Sequence, residues 1–382
     1  MEANRIQITV VGLPEVWSNQ LVAPLEWKIM LAMNTLSAAA RLTWEPLTLR
    51  LRSPFRVSYG VSETREVFWL RLADDEGWGE SAIPPYYGIS TASITAFWEA
   101  VARRADPWPE RIEEVADWVG EDGPAPARCA VDLALHDRIA RKHRMPLYEL
   151  LGLPRPPLLP TSFTISIAEP PEMARMAAEA ASYPILKLKL GAKDDVACVA
   201  AVRAARPDAR LRVDANAAWT PEEAVQHLRN LAPYDLELVE QPVARDDIAG
   251  LGFVQAHTDL PIVADESLRT LADVERLAQA GVRGINLKLN KVGGLAPALV
   301  IARRAQVLGL RIMLGCMIET SLGVTAMLHL AGLADWLDLD APLLIGNDPF
   351  TGAWYDGTGS MHLPDAPGIG VVRKNDYVMR NA

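Results

Sequence analysis

Three acidic residues and two lysines recur at nearly constant spacing in the second half of the chain. They are Lys189, Asp214, Glu240, Asp265 and Lys288, separated by 25, 26, 25 and 23 residues. Each ends a short apolar segment typical of a β-strand. Carboxylates on three successive segments form an all-oxygen donor set, which favours Mg²⁺, with Mn²⁺ as a substitute, over Zn²⁺. The alternative is that the three acids are N-cap residues of the helices that follow.

The two lysines flank the acidic set. A lysine crowded by a metal ion and by a second ammonium group has a lowered pKa and can act as a base, and Lys187 lies on the same strand face as Lys189. Two bases on opposite faces of a substrate carboxylate would remove an α-proton and return one to the other side. The predicted chemistry is racemisation or epimerisation. The alternative for Lys189 and Lys288 is a lattice of salt bridges.

A further acidic pair, Asp338 and Asp340, ends the last segment of the series. In a closed ring that segment neighbours the first one, so the pair would lie close to Lys189. Two carboxylates on one face there are suited to bind an ammonium group of a substrate. Their alternative role is to cap a helix or to form a turn.

The elements that must position these residues are strands alternating with helices. Helical periodicity, for example over residues 221–231 and 271–280, separates the apolar segments. This alternation predicts parallel βαβ units that close into a barrel, with the charged residues at the carboxyl-terminal mouth. The predicted strands cover residues 186–189, 211–214, 238–240, 262–265, 285–288, 312–315 and 336–340.

The complete chain is predicted to be α/β, a modified (β/α)8, TIM-like barrel with an α+β capping domain. Residues 41–157 form the cap, with three strands before its helices, and residues 158–354 form the barrel. Residues 355–382 are a tail that returns to the cap. Residues 1–40 are an extension of unknown role, or they precede the true start. Loops at 54–66 and 83–88 are expected to cover the barrel mouth as a lid.

Composition limits the class of partner. The 382 residues carry a net charge of −10 with a pI near 5.2, which argues against binding to nucleic acid or to an anionic membrane. No apolar run reaches the roughly 18 residues of a membrane span. Three cysteines, Cys129, Cys198 and Cys316, lack metal or disulfide spacing, which favours the reducing cytoplasm. A small-molecule substrate is the expected partner.

Five ordered motifs resemble the muconate-lactonising subgroup of the enolase superfamily. They are Lys187-Leu188-Lys189, Asp214-Ala215-Asn216, Val239-Glu240-Gln241-Pro242, Ala264-Asp265-Glu266-Ser267 and Lys288-Leu289-Asn290-Lys291-Val292-Gly293-Gly294. The resemblance covers about residues 42–375. It implies Mg²⁺ on Asp214, Glu240 and Asp265, and an acid/base pair of Lys189 and Lys288. It also implies supporting positions around these groups for Asn216, Glu266 and Lys291. Homo-oligomers are common in this family, although no stretch of the sequence demonstrates one.

Within the subgroup, Gly315-Cys316-Met317-Ile318-Glu319-Thr320 and Asp338-Leu339-Asp340 resemble the dipeptide epimerases. This implies that Asp338 and Asp340 bind the α-ammonium of a dipeptide whose C-terminal residue is inverted. Thr164 is then expected beside the substrate. The remaining positions expected on the substrate side are Lys187, Tyr59, Cys316 and Met317.

One position departs from the pattern of the Ala-Glu epimerases, which carry an arginine in the first lid loop. An alignment without gaps places Gly60 there, while Arg56 and Arg65 are nearby but out of register. An apolar or aromatic second residue, stacked on tyrosines such as Tyr59, is as compatible with the sequence as an acidic one. These tyrosines are equally compatible with packing between the domains.

Three rival functions use the same barrel. N-acyl (N-succinyl) amino acid racemases and o-succinylbenzoate synthases share the metal and lysines, but their substrates lack a free ammonium that would need Asp338 and Asp340. A muconate cycloisomerase binds a dianion, which the same two carboxylates would repel. A catalytically silent binding protein is expected to have lost a lysine or a metal ligand. In this sequence both candidate lysines and all three candidate metal ligands are present.

Overall fold

The computed structural model of the protein describes residues 41–374. The predicted extension at 1–40 and the last eight residues of the predicted tail lie outside the described residues. Among residues 41–374, no helix is long and apolar enough to cross a membrane.

Eight parallel strands form the central sheet of the described chain, and each pairs with the next one in sequence. They are β4 (Phe163–Ile165), β5 (Ile185–Lys189), β6 (Arg210–Asp214), β7 (Leu236–Glu240), β8 (Ile262–Ala264), β9 (Gly284–Leu287), β10 (Arg311–Gly315) and β11 (Trp336–Asp338). A parallel bridge between Thr161 and Leu337 joins the two edges. The predicted barrel class is therefore confirmed, and β4 is the strand that the sequence series omitted.

Helices connect these strands and cover the outside of the barrel. Their bounds are Pro170–Glu179, Asp195–Ala205, Pro221–Leu231, Ile248–Ala256, Leu271–Gln279, Leu289–Val292, Leu295–Val307, Ser321–Leu328 and Ala341–Leu344. The helix Pro221–Leu231 shows why they form where they do. Thr220 and Glu223 build a reciprocal capping box at its start, and Leu228 and Leu231 bury its inner face against the sheet.

The cap begins with a three-stranded antiparallel sheet, β1 (Leu42–Val57), β2 (Gly60–Leu72) and β3 (Trp78–Ala82). The sequence predicted a loop at 54–66, and this was wrong. The two strands continue to a tight turn at residues 58–59, and an irregularity in pairing between Arg50 and Phe55 accommodates Pro54. The hairpin therefore presents paired strands, rather than a loop, to the barrel.

The helices of the cap are Thr91–Ala102, Val115–Val119, Ala125–His143 and Leu147–Leu150. The long helix Ala125–His143 packs directly on β3. A Cβ at Gly79 would lie 1.9 Å from the carbonyl oxygen of Ala130, so this close approach requires glycine. The short helical turns of the chain are Ala73–Asp75, Ile112–Glu114, Ala232–Tyr234 and Ala331–Leu333.

Buried polar contacts attach the cap to the barrel. Glu80 in β3 accepts hydrogen bonds from the backbone N–H groups of Thr320 (2.8 Å) and Gly323 (2.9 Å) at the start of the helix Ser321–Leu328. Near the end of the described chain, Ile369 N–H donates to Asp137 of the cap (2.8 Å).

Four two-residue strands complete the described chain. β12 (Phe350–Thr351) pairs with β15 (Val372–Arg373), and β13 (Trp354–Tyr355) pairs with β14 (Met361–His362). β12 lies before the predicted boundary at 354/355, and β13 spans it. Their partner strands, β15 and β14, lie in the predicted tail. The domain boundaries at 157/158 and 354/355 stay predictions.

Candidate active site

The carboxyl ends of neighbouring strands bring the predicted residues together. Lys189 and Asp214 are register partners on β5 and β6, and Asp214 is in turn the partner of Glu240 on β7. Asp265 and Lys288 directly follow β8 and β9. All five side chains are buried, with residue exposures between 0% and 7%. The strand series thus places them along one arc of the barrel mouth.

Lys187 lies at the centre of the charged array. Its Nζ is 2.6 Å from Asp338 Oδ2, 2.7 Å from Glu240 Oε2 and 3.1 Å from Asp214 Oδ2. Burial acts to lower the pKa of Lys187, but the three carboxylates outweigh it and raise the pKa well above its ordinary value. Lys187 therefore remains an ammonium group that links the acidic arc to the Asp338 side of the barrel.

The two candidate bases each contact one carboxylate. Lys189 Nζ lies 2.6 Å from Asp214 Oδ2, and Lys288 Nζ lies 2.7 Å from Asp265 Oδ2. Although burial favours the neutral amine, Asp265 and Glu240 raise the pKa of Lys288. The lowering expected from the sequence concerned a lysine beside a metal ion, whereas the protein charges nearest to Lys288 are carboxylates and act in the other direction.

The three carboxylates of the arc have different protonation tendencies. Burial, together with Asp214 and Asp265, raises the pKa of Glu240 to about 8. Burial also opposes ionisation of Asp265 and Asp214, but neighbouring lysines outweigh it and lower the pKa of both. Three buried acids this close repel one another, so a positive charge in their midst stabilises the ionised set.

The chemistry of this donor set fits a hard divalent cation, because carboxylate oxygens are the ligands that Mg²⁺ prefers. Glu240 Oε2 is also buried without a hydrogen bond of good geometry, although Lys187 is close to it. In their present rotamers, however, no three acidic, His or Cys side chains within residues 41–374 converge on one point as metal ligands do. The oxygens face lysines instead.

Asn216, Glu266 and Lys291 lie next to the residues of the arc. Asn216 N–H donates to Asp214 Oδ1 (2.9 Å), and its side-chain amide donates to Glu266 Oε1 (3.2 Å). Lys291 donates to both the carboxylate and the carbonyl of Asp265. Burial and the nearby aspartates raise the pKa of Glu266 to about 7, and its Oε2 is buried without a partner among the described residues.

The acidic pair of β11 occupies the adjoining wall. Ser162 Oγ donates to Asp338 Oδ1 (2.6 Å), and Thr164 N–H donates to Asp340 Oδ2 (2.7 Å). Burial and the charge of Asp338 raise the pKa of Asp340 to about 6. Burial acts in the same direction on Asp338, but Lys187 outweighs it and lowers the pKa of Asp338 to about 2.

A cavity opens above these groups between the barrel and the cap. It encloses about 710 Å³ of space, its opening included. The predicted residues among its lining are Tyr59, Thr164, Lys187, Lys189, Asn216, Asp265, Lys288, Cys316, Met317, Asp338 and Asp340. Cys316 Sγ contacts the carbonyl of Asp338 at 3.4 Å, and Tyr59 stacks edge-on against Tyr86. Asp214, Glu240, Glu266 and Lys291 lie behind this surface.

The tip of the cap hairpin closes one side of the cavity. Ser58 Oγ donates to the carbonyl of Asn216 (2.9 Å), and Ile167 N–H donates to the carbonyl of Arg56 (3.1 Å). A Cβ at Gly191 would lie 2.8 Å from Ser58 Cβ, and Gly191 has a φ of +100°. Glycine at this position therefore allows the hairpin to approach the barrel.

Sequence reasoning missed several residues of the site. Ser162 and Phe55 were not identified, although Ser162 lies two residues before Thr164 and Phe55 follows the Ser-Pro pair of β1. Asn286, which donates to Glu240 Oε1 (2.8 Å), lies two residues before Lys288, and strand alternation would have placed both on one face. Arg65 was regarded as out of register, yet it lines the cavity.

Known proteins share both the sequence and the fold. Residues 171–377 match the family model described as enolase C-terminal domain-like. An L-Ala-D/L-amino acid epimerase from Maribacter sp. is 34% identical over 336 residues, which span 87% of this chain and 99% of that protein.

Two solved structures show the same architecture. The dipeptide epimerase from Enterococcus faecalis, complexed with Mg and L-Leu-L-Tyr, has a TM-score of 0.80 at 33% identity, covering 87% of this chain and 99% of its own. The N-succinyl Arg/Lys racemase from Bacillus cereus has a TM-score of 0.83 at 28% identity, covering 89% of this chain and 96% of its own. Because both kinds of protein share the fold, only the side chains of the site can discriminate between their substrates.

Proposed function

Since the chain belongs to the enolase superfamily, as its motifs predicted, we propose that it is a dipeptide epimerase. The proposed reaction inverts the α-carbon of the C-terminal residue in a dipeptide of the L-Ala-L-Xaa type. The observation that carries the proposal is the buried pair Asp338 and Asp340, which lines the same cavity as Lys189 and Lys288. A substrate with a free ammonium and a carboxylate matches both ends of this cavity.

Asp338 and Asp340 bind the ammonium of the first residue in this proposal. Thr164 N–H and Ser162 Oγ fix the orientations of the two carboxylates, and Lys187 keeps Asp338 ionised. Both acids are at most 5% exposed, so their bonds to an ammonium compete little with water. The wall of the cavity around this ammonium site includes Cys316, Met317 and Tyr59.

Lys189 and Lys288 carry out the proton transfer. The neutral amine of one lysine removes the α-proton, the electron pair moves into the carboxylate to give an enediolate, and the ammonium of the other lysine protonates the opposite face. Their carboxylate contacts, Asp214 for Lys189 and Asp265 for Lys288, lie on different strands. This separation supports opposed approaches to one carbon atom.

Asp214, Glu240 and Asp265 are proposed to hold Mg²⁺, for which Mn²⁺ would be a substitute. The Mg complex of the E. faecalis relative supports this choice. The ion would supply positive charge for the substrate carboxylate and its enediolate. Asn216 and Lys291 orient Asp214 and Asp265, and Glu266 in turn accepts from Asn216.

The second candidate is an N-succinyl amino acid racemase, favoured by the likeness to the B. cereus structure. The α-amine of its substrate is acylated, so only a side-chain cation such as that of Arg or Lys could reach Asp338 and Asp340. A muconate substrate, with two carboxylates, would be repelled by the same pair.

Deuterium exchange discriminates between these functions. The protein is incubated with Mg²⁺ in D₂O, with a pool of L-Ala-L-Xaa dipeptides in one arm and N-succinyl amino acids in the other. A gain of one mass unit in particular dipeptides, with D-configured product, is the expected result. Exchange confined to N-succinyl amino acids would overturn the role of Asp338 and Asp340, and no exchange in either arm would overturn the two-lysine chemistry.

Location and assembly are proposed more broadly. The cysteines Cys129, Cys198 and Cys316 are all free, which supports a reducing compartment such as the cytoplasm. A homo-oligomer remains a prediction from the family resemblance.

A further inference from the structure

Arg212 is a buried cation inside the barrel that the proposed mechanism does not use. It is 2% exposed and lies in β6 two residues before Asp214, so both side chains are on the inner face of that strand. Its Nε donates to Glu237 Oε2 (2.6 Å), and its Nη1 donates to the backbone carbonyl of Leu337 in β11 (2.8 Å). The guanidinium therefore links β6 to a strand that is not its neighbour in the sheet.

A β-bulge supplies the counter-ion of Arg212. Between Leu211 and Arg212 the pairing of β6 with β7 shifts by one residue, which leaves Glu237 of β7 without a register partner. A bulge of this kind changes the direction of a side chain, and the Glu237 carboxylate contacts both Arg212 and Arg210. Because one end of the guanidinium is paired with this charge, the cation is tolerated in the interior and its other end is free to hold Leu337.

The contact with Leu337 lies where the two edges of the sheet meet. In the described chain a single parallel bridge, between Thr161 and Leu337, pairs β4 with β11. Side chains make the neighbouring contacts across this join. Thr161 Oγ1 accepts from Leu339 N–H (2.8 Å), and the Asp340 carboxylate accepts from Thr164 N–H (2.7 Å). The position of β11 at this edge therefore depends on side-chain contacts as well as on strand pairing.

The Leu337 carbonyl belongs to the peptide group that precedes Asp338. It accepts from Ser162 N–H (3.2 Å) and Ser162 Oγ (3.4 Å) as well as from Arg212. The same Ser162 Oγ donates to Asp338 Oδ1 (2.6 Å). Arg212 thus fixes the orientation of the peptide group between Leu337 and Asp338, and that orientation determines where the Asp338 side chain starts.

Lys187 also acts on Asp338, but through a different group. It is the register partner of Arg212 on β5, and its Nζ binds the Asp338 carboxylate directly at 2.6 Å. Lys187 therefore keeps that carboxylate ionised. Arg212 is close enough to Asp338 for their charges to interact, but its hydrogen bond is to the backbone. The two cations consequently have separate effects on β11.

We propose that Arg212 is a positioning residue for the ammonium site. By holding the Leu337 carbonyl, it orients Asp338 and, two residues further along, Asp340. This inference rests on the proposed function, in which both carboxylates bind the ammonium of the first substrate residue. Arg212 is not part of the cavity lining and touches neither the substrate nor the reacting carbon. Its loss should therefore weaken recognition of the ammonium and leave the chemistry of proton transfer intact.

The test compares two substrates that differ only in the ammonium group. For the best second residue Xaa from the exchange screen, kcat and KM are measured for L-Ala-L-Xaa and for propionyl-L-Xaa, in which a hydrogen atom replaces the ammonium. The wild type is expected to prefer L-Ala-L-Xaa by about tenfold or more in kcat/KM, since its ammonium bonds to buried carboxylates. Both substrates sample the same protein, so this ratio is insensitive to a general loss of folded enzyme.

The main variant combines Arg212→Met with Glu237→Gln. Removal of Arg212 alone would leave a buried acid without its partner, whereas replacement of both members of an ion pair is far better tolerated. The double variant should lose about tenfold of the preference, the equivalent of one hydrogen bond to a charged group, through a higher KM for L-Ala-L-Xaa. Turnover of propionyl-L-Xaa should be retained.

Three single variants serve as controls. Glu237→Gln should keep the wild-type ratio, because its amide oxygen still accepts from Arg212. Arg210→Met should keep it too: this residue lies on the same strand and contacts the same Glu237, but its side chain is 57% exposed and does not reach Leu337. Arg212→Lys keeps the charge and a contact with Glu237 but lacks the second nitrogen that binds Leu337, so its ratio should be intermediate.

Two results would overturn the inference while the proposed function stands. One is a wild-type ratio in the double variant, and the other is an equal loss of kcat/KM for both substrates, which would assign Arg212 to the stability of the barrel alone. If the double variant does not fold, Arg212→Lys decides the question, because a wild-type ratio there also contradicts the inference. If the wild type itself does not prefer L-Ala-L-Xaa over propionyl-L-Xaa, the proposed function fails, and the inference fails with it.

Discussion

Substitution of Asp340 by asparagine tests the ammonium site most directly. The change is nearly isosteric, and an amide oxygen can still accept the Thr164 N–H that now lies 2.7 Å from the carboxylate. What the variant loses is one negative charge opposite the substrate ammonium. The fold should therefore be retained while binding is weakened.

The magnitude follows from burial. Asp340 is 4% exposed, so water compensates little for the lost contact. Hydrogen bonds to charged groups contribute about 1.5–3 kcal/mol, and about 1.4 kcal/mol corresponds to a factor of ten. The value of kcat/KM for L-Ala-L-Xaa should fall about 10- to 100-fold in Asp340→Asn, mainly through KM, because Asp340 is remote from proton transfer.

The same residue predicts a pH dependence. Burial and Asp338 raise the pKa of Asp340 to about 6, so this carboxyl is neutral below that pH and ionised above it. An ammonium is bound by the ionised form. In the wild type, the binding contribution of Asp340 should therefore decrease as the pH falls through about 6, and this contribution should be missing from the profile of Asp340→Asn.

The assay is epimerisation of L-Ala-L-Xaa followed by chiral chromatography from pH 5 to 8, with kcat and KM separated. Asp365→Asn is the matched control, since its carboxylate pairs with Arg155 at the protein surface with 83% of its side chain exposed. An Asp340→Asn variant with wild-type KM and a wild-type pH profile would refute the assignment of this pair to the ammonium.

Three further predictions concern the bases, the metal and the hairpin. Lys189→Ala and Lys288→Ala should each slow epimerisation by about 100-fold or more. Each variant should still exchange deuterium into only one configuration of the dipeptide, because one base remains. Exchange into both configurations by both variants would contradict the two-base scheme. Mg²⁺ at 100 times its Kd should stabilise the wild type by about 2.7 kcal/mol in thermal unfolding, and chelation should abolish deuterium exchange. Glu240→Gln should be stabilised less by the same Mg²⁺ concentration. Equal stabilisation of the two proteins would exclude Glu240 as a ligand. Gly191→Ala should raise KM and lower Tm more than Gly309→Ala does. Both glycines have a positive φ, but only the Cβ added at Gly191 would meet neighbouring atoms. Equal effects of the two substitutions would show that backbone strain alone is responsible.

The barrel and its charged mouth were predictable because their physical requirements repeat along the chain. Each βα unit needs an apolar strand and an amphipathic helix. Asp214 and Glu240 end two successive strands, and Asp265 directly follows the next one. Strand β4 (Phe163–Ile165) escaped prediction because it is short and no charged residue marks its end, whereas Asp265 follows the equally short β8.

The protonation of the lysines was not predictable from sequence order. Spacing correctly predicted that Lys187, Lys189 and Lys288 share one mouth, but it did not show which charges lie nearest to each amine. Asp265 lies 2.7 Å from Lys288, and the charges of Asp265 and Glu240 raise the pKa of Lys288 against the opposing charge of Lys187. Distances of a few ångströms decide the sign of such a shift, and a pattern of residues does not contain them.

The hairpin shows a second limit, which bears on specificity. An alignment without gaps assigned the substrate-facing position to Gly60 and set Arg65 aside, because it treated residues 54–66 as a loop. In the fold, strand pairing continues through this region, with a shift of register between Arg50 and Phe55. The shift and the pleat together determine the positions of the β2 side chains, and both Arg65, which is half-buried, and Glu66, which is exposed, line the cavity. The cavity wall therefore contains a cation five residues from the position that the family pattern would have indicated.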